Sequence, residues 1–363
     1  MTDRLIATYH VRSDAASIEA RASGIAVEQS VEMPVSAISD HDVLENIVGR
    51  VQSIDDIGKG IFAVRIGLAA ETTGYEPGQM LNMLFGNTSI HEDVRLIDVD
   101  FPADYAAHFG GPNQGLAGLR AHVKADGRAL TCSAIKPQGL PPAELARIAH
   151  RFALGGIDYI KDDHGLANQS YSPFDERVRA CADAVQKASA KTGVPTRYLP
   201  SLNGNLDSLR HQIRIATMCE LDCVLIAPMI TGLANFHTVV KENPDIAFMT
   251  HPAMGGAARL APPFLFGKLL RMLGSDASVF ANYGGRFGYT REECKALADR
   301  ALEPWGDLKP CVPVPAGGMT PERVPELLDL YGTDVMLLIG GGLLAARERL
   351  TEETARFVAA VKR

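Results

Sequence analysis

The sequence predicts an α/β protein in which a C-terminal (β/α)8 TIM barrel follows a small α+β, ferredoxin-like N-terminal domain. Three observations lead there. From about residue 129 onward, short β-type runs alternate with amphipathic helical runs, the pattern of parallel strands joined by crossover helices. Eight of each fit into roughly 235 residues, more strands than a doubly wound sheet usually needs. Of the 363 residues, a barrel takes about 250 and leaves roughly 113 for a separate domain. The expected boundaries are 1–118 for the N-terminal domain and 119–363 for the barrel.

Strand-like runs fall at 129–136, 157–161, 196–202, 223–228, 246–251, 278–282, 311–314 and 335–339. Helical periodicity fills the intervals at 142–153, 174–191, 206–218, 236–242, 263–273, 291–301, 321–331 and 344–361. Residues before the barrel behave differently, with strand-like 5–11 and 61–67 and helix-like 15–22 and 77–86. That mixed order suggests an α+β unit, joined through the glycine-rich piece Gly110-Gly111-Pro112-Asn113-Gln114-Gly115 and a short helix.

Hydrophobic residues make up 46% and charged residues 22%, the balance of a globular protein with a substantial core. Lys plus Arg number 36 against 43 Asp plus Glu, a formal charge of −7 with no basic block to track a phosphate backbone, so nucleic acid is not an expected partner. No apolar run approaches the roughly 20 residues needed to span a bilayer, and Met1-Thr2-Asp3-Arg4 opens no signal peptide; the expectation is a cytoplasmic protein without a membrane partner. Six cysteines lack a C-x-x-C pair and do not suggest a disulfide scaffold. Cys219 and Cys223 read as buried apolar residues, with no metal assigned.

A barrel carries its site at the carboxyl ends of its strands. The first strand ends in Lys136-Pro137, the second in Lys161-Asp162-Asp163-His164 and the fifth in His251, while the sixth runs into Asn282-Tyr283-Gly284-Gly285-Arg286. Lys161 and Asp163, two apart, project to one side of a strand, and His164 follows just past its end. These three residues could hold a divalent ion if the lysine were made anionic; otherwise Lys161 and Asp163 form an ion pair capping the strand. Lys136 is a candidate proton-transfer base or, alternatively, a phosphate counterion or a member of a structural ion pair. His251 is either a substrate hydrogen-bonding group or a satisfied rim histidine. The last two strands deliver Gly317-Gly318 and Gly340-Gly341-Gly342, bare backbone where barrel enzymes commonly seat a phosphate, though turn geometry alone also explains glycine there. Met33, Pro34, Tyr283 and Phe287 are candidates for an apolar end of a substrate site, and ordinary packing explains each equally well.

Gly155-Gly156-Ile157-Asp158-Tyr159-Ile160-Lys161-Asp162-Asp163 resembles the ribulose bisphosphate carboxylase/oxygenase (RuBisCO) superfamily, and Ile135-Lys136-Pro137, Pro315-Ala316-Gly317-Gly318 and Ile339-Gly340-Gly341-Gly342 match it in order and spacing. Asn82-Met83 and Glu28 resemble residues of that family's amino-terminal domain. The resemblance implies a homodimer in which Glu28 and Asn82 of one protomer act in the barrel site of the other. It also implies Lys161 as a CO2-derived carbamate binding Mg2+ with Asp163 and His164, Lys136 as acid or base at an enediolate, and a phosphate held by Gly317, Gly318, Gly340 and Gly341.

The departures are specific. His164 stands where the family has a glutamate ligand, which opens the site to other divalent ions. Pro252 replaces an arginine that grips a second phosphate, Gln138 replaces a lysine, Val279 a histidine, and Arg286 the mobile-loop lysine. The Thr-Trp pair of the amino-terminal phosphate site is missing from residues 28–34. The chain therefore resembles the RuBisCO-like, non-CO2-fixing form IV branch. That resemblance implies enolisation and isomerisation of a monophosphorylated ketose, 5-methylthioribulose 1-phosphate of methionine salvage. Alternatives are a decarboxylase of a phosphorylated 3-oxo sugar acid of the 3-oxo-isoapionate 4-phosphate type, a diketo-methylthiopentyl phosphate enolase, or a non-catalytic sugar-phosphate binder.

Overall fold

The computed structural model describes residues 3–362, so Met1 and Thr2 of the opening tetrapeptide lie outside them. Two compact units result. One runs to Gly110 and takes in Met254–Leu265; the other comprises Gly111–Ala253 and the chain from Phe266 onward.

In the first unit, β1 (Arg4–Arg12) alternates strictly, burying Leu5, Ala7, Tyr9 and Val11 on one face. It sits between β3 (Ile61–Ala69) and β4 (Val94–Asp100), antiparallel to both, with β2 (Arg50–Asp56) on the outer edge of β3. Helices Ile18–Glu28 and Pro77–Phe85 follow β1 and β3. The sequence order β-α-β-β-α-β with sheet order β2-β3-β1-β4 is the ferredoxin-like arrangement. The first helix begins later than the expected 15–22, because Asp14 Oδ1 accepts from the N–H groups of Ala16 and Ser17 and holds that stretch as a turn.

In the second unit the parallel strands are β5 (Leu130–Ile135), β6 (Tyr159–Asp162), β7 (Arg197–Leu199), β8 (Ser201–Leu202), β9 (Cys223–Ile226), β10 (Ala247–Thr250), β11 (Ala277–Ala281), β12 (Val312–Ala316) and β13 (Met336–Leu338). Their ladders run β13-β5-β6-β7 and β12-β11-β10-β9-β8. Pro200, which has no N–H to donate, divides the expected strand 196–202 into β7 and β8 and still accepts from Leu225 N at 2.9 Å. Each of the eight expected barrel strands is thus present. The long helix expected at 344–361 is broken into Gly341–Leu344 and Leu350–Val361, since Arg347 takes a left-handed backbone with φ 48°.

Leu225, Met249, Val279, Val312, Val314, Met336 and Leu338 fill the barrel interior. Helix Gly115–Val123 contributes Leu116, Leu119 and Val123 to the same core, and Tyr159 donates to the Leu119 carbonyl at 2.6 Å. The contact division falls at Gly110/Gly111, ahead of this helix. Two cysteine readings also change: Cys219 is half-buried at a helix end, and the buried Cys223 sulfur has polar neighbours. No helix among the described residues is long and apolar enough to cross a membrane.

Aspartates tie down the amino-terminal ends of the strands. Asp158, fully buried, accepts from Arg128 Nη1 and Nη2 at 2.7 and 2.6 Å and from Thr131 N and Oγ1, both at 2.8 Å. Removing that carboxylate strands the guanidinium and an amide N–H, so Asp158→Ala is expected to cost about 3 kcal/mol of unfolding free energy. A urea titration reads this as a lowered midpoint, and an unchanged midpoint would refute the anchoring role.

Candidate active site

The period-two alternation of β6 sends Lys161 and Asp162 to opposite sides. Lys161 is only 3% exposed, and its Nζ donates to the Asp162 carbonyl at 3.0 Å. Burial pulls its pKa below the ordinary 10.5, and the Lys136 charge adds to this against the opposing pull of Cys132 and Asp163. Asp162 is fully buried and structural: Tyr198 Oη donates to it at 2.7 Å, Arg177 Nε at 3.1 Å and Ser201 N at 3.0 Å. These side chains brace the end of β6, and sequence reasoning missed them because their partners lie up to 39 residues away.

Asp163 pairs with Lys136, Nζ to Oδ1 being 2.8 Å, and His164 Nδ1 lies 3.3 Å from the same oxygen. Burial would raise the Asp163 pKa. Hydrogen bonding to His164 and Lys136 and the Lys161 charge outweigh it and hold the group well below the usual carboxylate range. Lys136, rather than Lys161, thus forms the recorded ion pair with this carboxylate. His164 stacks on His251 with ring centroids 4.1 Å apart and planes 8° from parallel. Burial, then the charges of Lys161 and His164, push the His251 pKa down to about 2. Its neutral ring accepts from Ala253 N through Nδ1 at 3.2 Å, which leaves the hydrogen on Nε2. Lys136, Lys161, Asp163, His164 and His251 therefore form one cluster at the strand ends.

The glycine loops also converge. Gly317 and Gly318 take φ of 90° and 78°, and a Cβ on Gly342 would lie 2.9 Å from Met319 O. A Cβ on Gly285 would lie 2.0 Å from Gly317 O, so the loop after β11 packs backbone to backbone on the loop after β12. Gly285 and Gly342 are functional candidates that sequence reading passed over in favour of Gly317, Gly318, Gly340 and Gly341. Gly340 caps the short helix Gly341–Leu344, whose first N–H groups have no intrahelical partner. Arg286 is exposed beside this junction, its guanidinium 5.6 Å from the Phe287 ring centroid. Phe287 is 55% exposed, while Tyr283 is taken up by Glu326 through its hydroxyl and by Arg323 over its ring. An open cleft of about 470 Å³ on the other side of Lys136 is lined by Arg147, Arg151, Arg347 and Glu348 and by no other member of the cluster.

Glu28 and Asn82 belong to the first unit. Glu28 Oε1 accepts from Asn87 Nδ2 at 2.9 Å, and Asn82 is exposed. Gln29, buried, donates to the Asn82 and Met83 carbonyls at 3.0 and 2.8 Å and accepts from Thr88 N at 3.1 Å. It fixes the Glu28 helix against the Asn82 segment.

Fold and cluster together define a two-unit α/β protein whose barrel concentrates amines, imidazoles and bare backbone at its strand ends. The model of the ribulose bisphosphate carboxylase large chain, catalytic domain, matches residues 115–347. A 5-methylthioribulose-1-phosphate isomerase of Rhodospirillum rubrum is 60% identical over 362 residues, covering 99% of this chain and 97% of the relative. A 2,3-diketo-5-methylthiopentyl-1-phosphate enolase of Geobacillus thermodenitrificans is 29% identical, over 93% of this chain and 87% of its own. The crystal structure of a RuBisCO-like protein from Rhodopseudomonas palustris superposes with a TM-score of 0.94 at 53% identity, covering 100% of this chain and 98% of that one. The chain belongs to the RuBisCO large-chain family, among its RuBisCO-like proteins.

Two outcomes follow from the geometry. Lys161→Met removes a buried amine at nearly constant volume and is expected to raise the unfolding free energy by about 1 kcal/mol in urea; a destabilised variant would show that the amine serves the fold. Gly285→Ala forces the two loops apart and is expected to weaken inorganic phosphate binding about tenfold by calorimetry. Unchanged binding would show that these loops hold no phosphate.

Proposed function

We propose that this protein is an isomerase that enolises the monophosphorylated ketose 5-methylthioribulose 1-phosphate and returns the proton at another carbon, without fixing CO2. The observation that carries the reading is the 60% likeness, over 99% of the chain, to the Rhodospirillum isomerase. The strand-end cluster supplies the chemistry.

Lys136, 37% exposed and steered by Asp163, exchanges the proton between the substrate carbon and solvent. His251, neutral with its hydrogen on Nε2, donates to a substrate oxygen as charge develops there. Glycines 317, 318, 340 and 341 hold the single phosphate on backbone N–H groups, and Arg286 covers it from the adjoining loop.

The residues also fit a divalent ion. Three basic side chains surround the one carboxylate of Asp163, and converting Lys161 to a carbamate reverses the sign of one of them. A buried amine held toward its neutral form is the nucleophile that CO2 requires. The carbamate on Lys161, Asp163 and His164 would then hold Mg2+, or another divalent ion that tolerates imidazole. Bound there, the ion supplies electrostatic stabilisation of an enediolate. The working form is a cytoplasmic homodimer in which Glu28 and Asn82 of one protomer complete the barrel site of the other.

Proton-to-deuterium exchange followed by NMR, with Mg2+ and bicarbonate, tests this reading. Exchange into 5-methylthioribulose 1-phosphate is expected in the native protein and should fall about 100-fold or more in Lys161→Ala and in His164→Ala. Absence of exchange in the native protein would overturn the proposal. Enolisation of the diketo phosphate alone would favour the activity of the Geobacillus relative, and CO2 release from a phosphorylated 3-oxo sugar acid would favour the decarboxylase. Because its pKa is lowered, Lys161 presents more neutral amine at a given pH than an ordinary lysine. Activation at fixed CO2 should therefore rise with pH and reach its midpoint below 10.5.

A further inference from the structure

At the amino-terminal ends of the strands, opposite to the cluster described above, three donors of different chemistry meet. His122 comes from the last turn of helix Gly115–Val123, and Asp222 and Cys223 come from the start of β9. Cys223 Sγ lies 3.6 Å from His122 Nδ1 and 3.3 Å from Asp222 Oδ1, and one donor atom from each residue falls within 4.8 Å of the other two. We propose that His122, Asp222 and Cys223 form a site for a divalent transition-metal ion, zinc foremost, with water as the fourth ligand.

The spacing suits the ion. Zinc bonds of about 2.0–2.3 Å at tetrahedral angles place neighbouring donors about 3.4–3.6 Å apart. The two sulfur separations lie close to this, and His122 Nδ1, 3.8 Å from Asp222 Oδ2, reaches the ion by a side-chain rotation. A thiolate and a carboxylate together offset a divalent charge, and a neutral imidazole adds none.

The other aspartates at this end of the barrel are fully engaged. Asp158 is gripped by Arg128 and Thr131, and Asp276 accepts from the N–H groups of Gln114, Gly115 and Phe248. Asp222 differs: Arg197 Nε, at 2.9 Å, fixes Oδ2 and so orients the carboxylate, while Oδ1 faces the thiol. His122 and Asp222 side chains are 18% and 31% exposed, which gives an ion a route from solvent to the buried sulfur. On binding, the S–H bond of Cys223 breaks, the sulfur lone pair forms the metal–sulfur bond, and one proton passes to solvent. The ion then links the helix that closes the barrel core to β9.

Cobalt(II), as a spectroscopic stand-in for zinc, tests the site in the full chain. Lys161→Ala serves as the background, to silence the strand-end cluster, which contains no sulfur ligand. One equivalent of cobalt is expected to produce a sulfur-to-metal charge-transfer absorption in the near ultraviolet, lost in Lys161→Ala/Cys223→Ser and requiring at least about tenfold more metal in Lys161→Ala/His122→Ala. In parallel, zinc should raise the melting temperature of Lys161→Ala but not of Lys161→Ala/His122→Ala. Absence of the band at saturating cobalt, or its persistence in the serine variant, would overturn the proposal. His122→Ala, altering a partly exposed helix residue, keeps the test readable if the serine variant folds poorly.

Discussion

Burial of the Lys161 amine in the barrel wall is the constraint to which the neighbouring groups answer. An amine that is 3% exposed beside another lysine is an unfavourable arrangement for a fold, and its pKa falls accordingly. The strand end is held regardless because its alternate residue, Asp162, is locked from the helix side by Arg177, Tyr198 and Ser201. Alternation thus divides one short segment into a structural carboxylate and a buried amine. Stability invested on the outer face of β6 offsets the electrostatic cost on its inner face.

The two ends of the barrel use the same residue types for opposite purposes. Asp158 and Asp276 at the amino-terminal ends are saturated with N–H donors and anchor the chain. Asp163 at the carboxyl end instead meets side-chain amines and an imidazole, Lys136 Nζ at 2.8 Å and His164 Nδ1 at 3.3 Å. That asymmetry is what a barrel permits: the amino-terminal face fixes the scaffold, and the loops of the other face remain free to change chemistry.

Legibility in the sequence followed the range of the interactions. The barrel strands were readable because burial on both faces leaves continuous apolar runs between helices. β2 and β4 were not, since each carries a register shift, between Val51 and Ser53 in β2 and opposite Thr8/Tyr9 in β4, that breaks the period-two pattern. The strand-end candidates could be named from short motifs, and Glu28 and Asn82 from a family resemblance. Gly285 against Gly317, Gln29 against Asn82, and His122 against Cys223 could not be, because each contact joins residues far apart in sequence and has no local periodicity. The partner of Lys136 was not legible for a related reason: the ion pair left open for it is made with Asp163, which the neighbouring strand β6 delivers, whereas spacing within β6 offered Lys161 as one of two readings for that carboxylate.

His164 is the departure that ties the cluster together. A glutamate at this position would add a second anion beside Asp163. The imidazole instead reaches the Asp163 carboxylate with Nδ1 and stacks its ring on His251. One side chain consequently touches both the group that steers Lys136 and the group that keeps a hydrogen on its outer nitrogen. Reducing the anionic charge of the cluster also favours a neutral, preorganised hydrogen-bond donor over a cationic one, because His251 is already held from protonation by burial and by Lys161. The His164 departure therefore suits the proposed proton transfer on a singly phosphorylated substrate, in which Arg286 and the glycine loops are the proposed holders of its one anionic end.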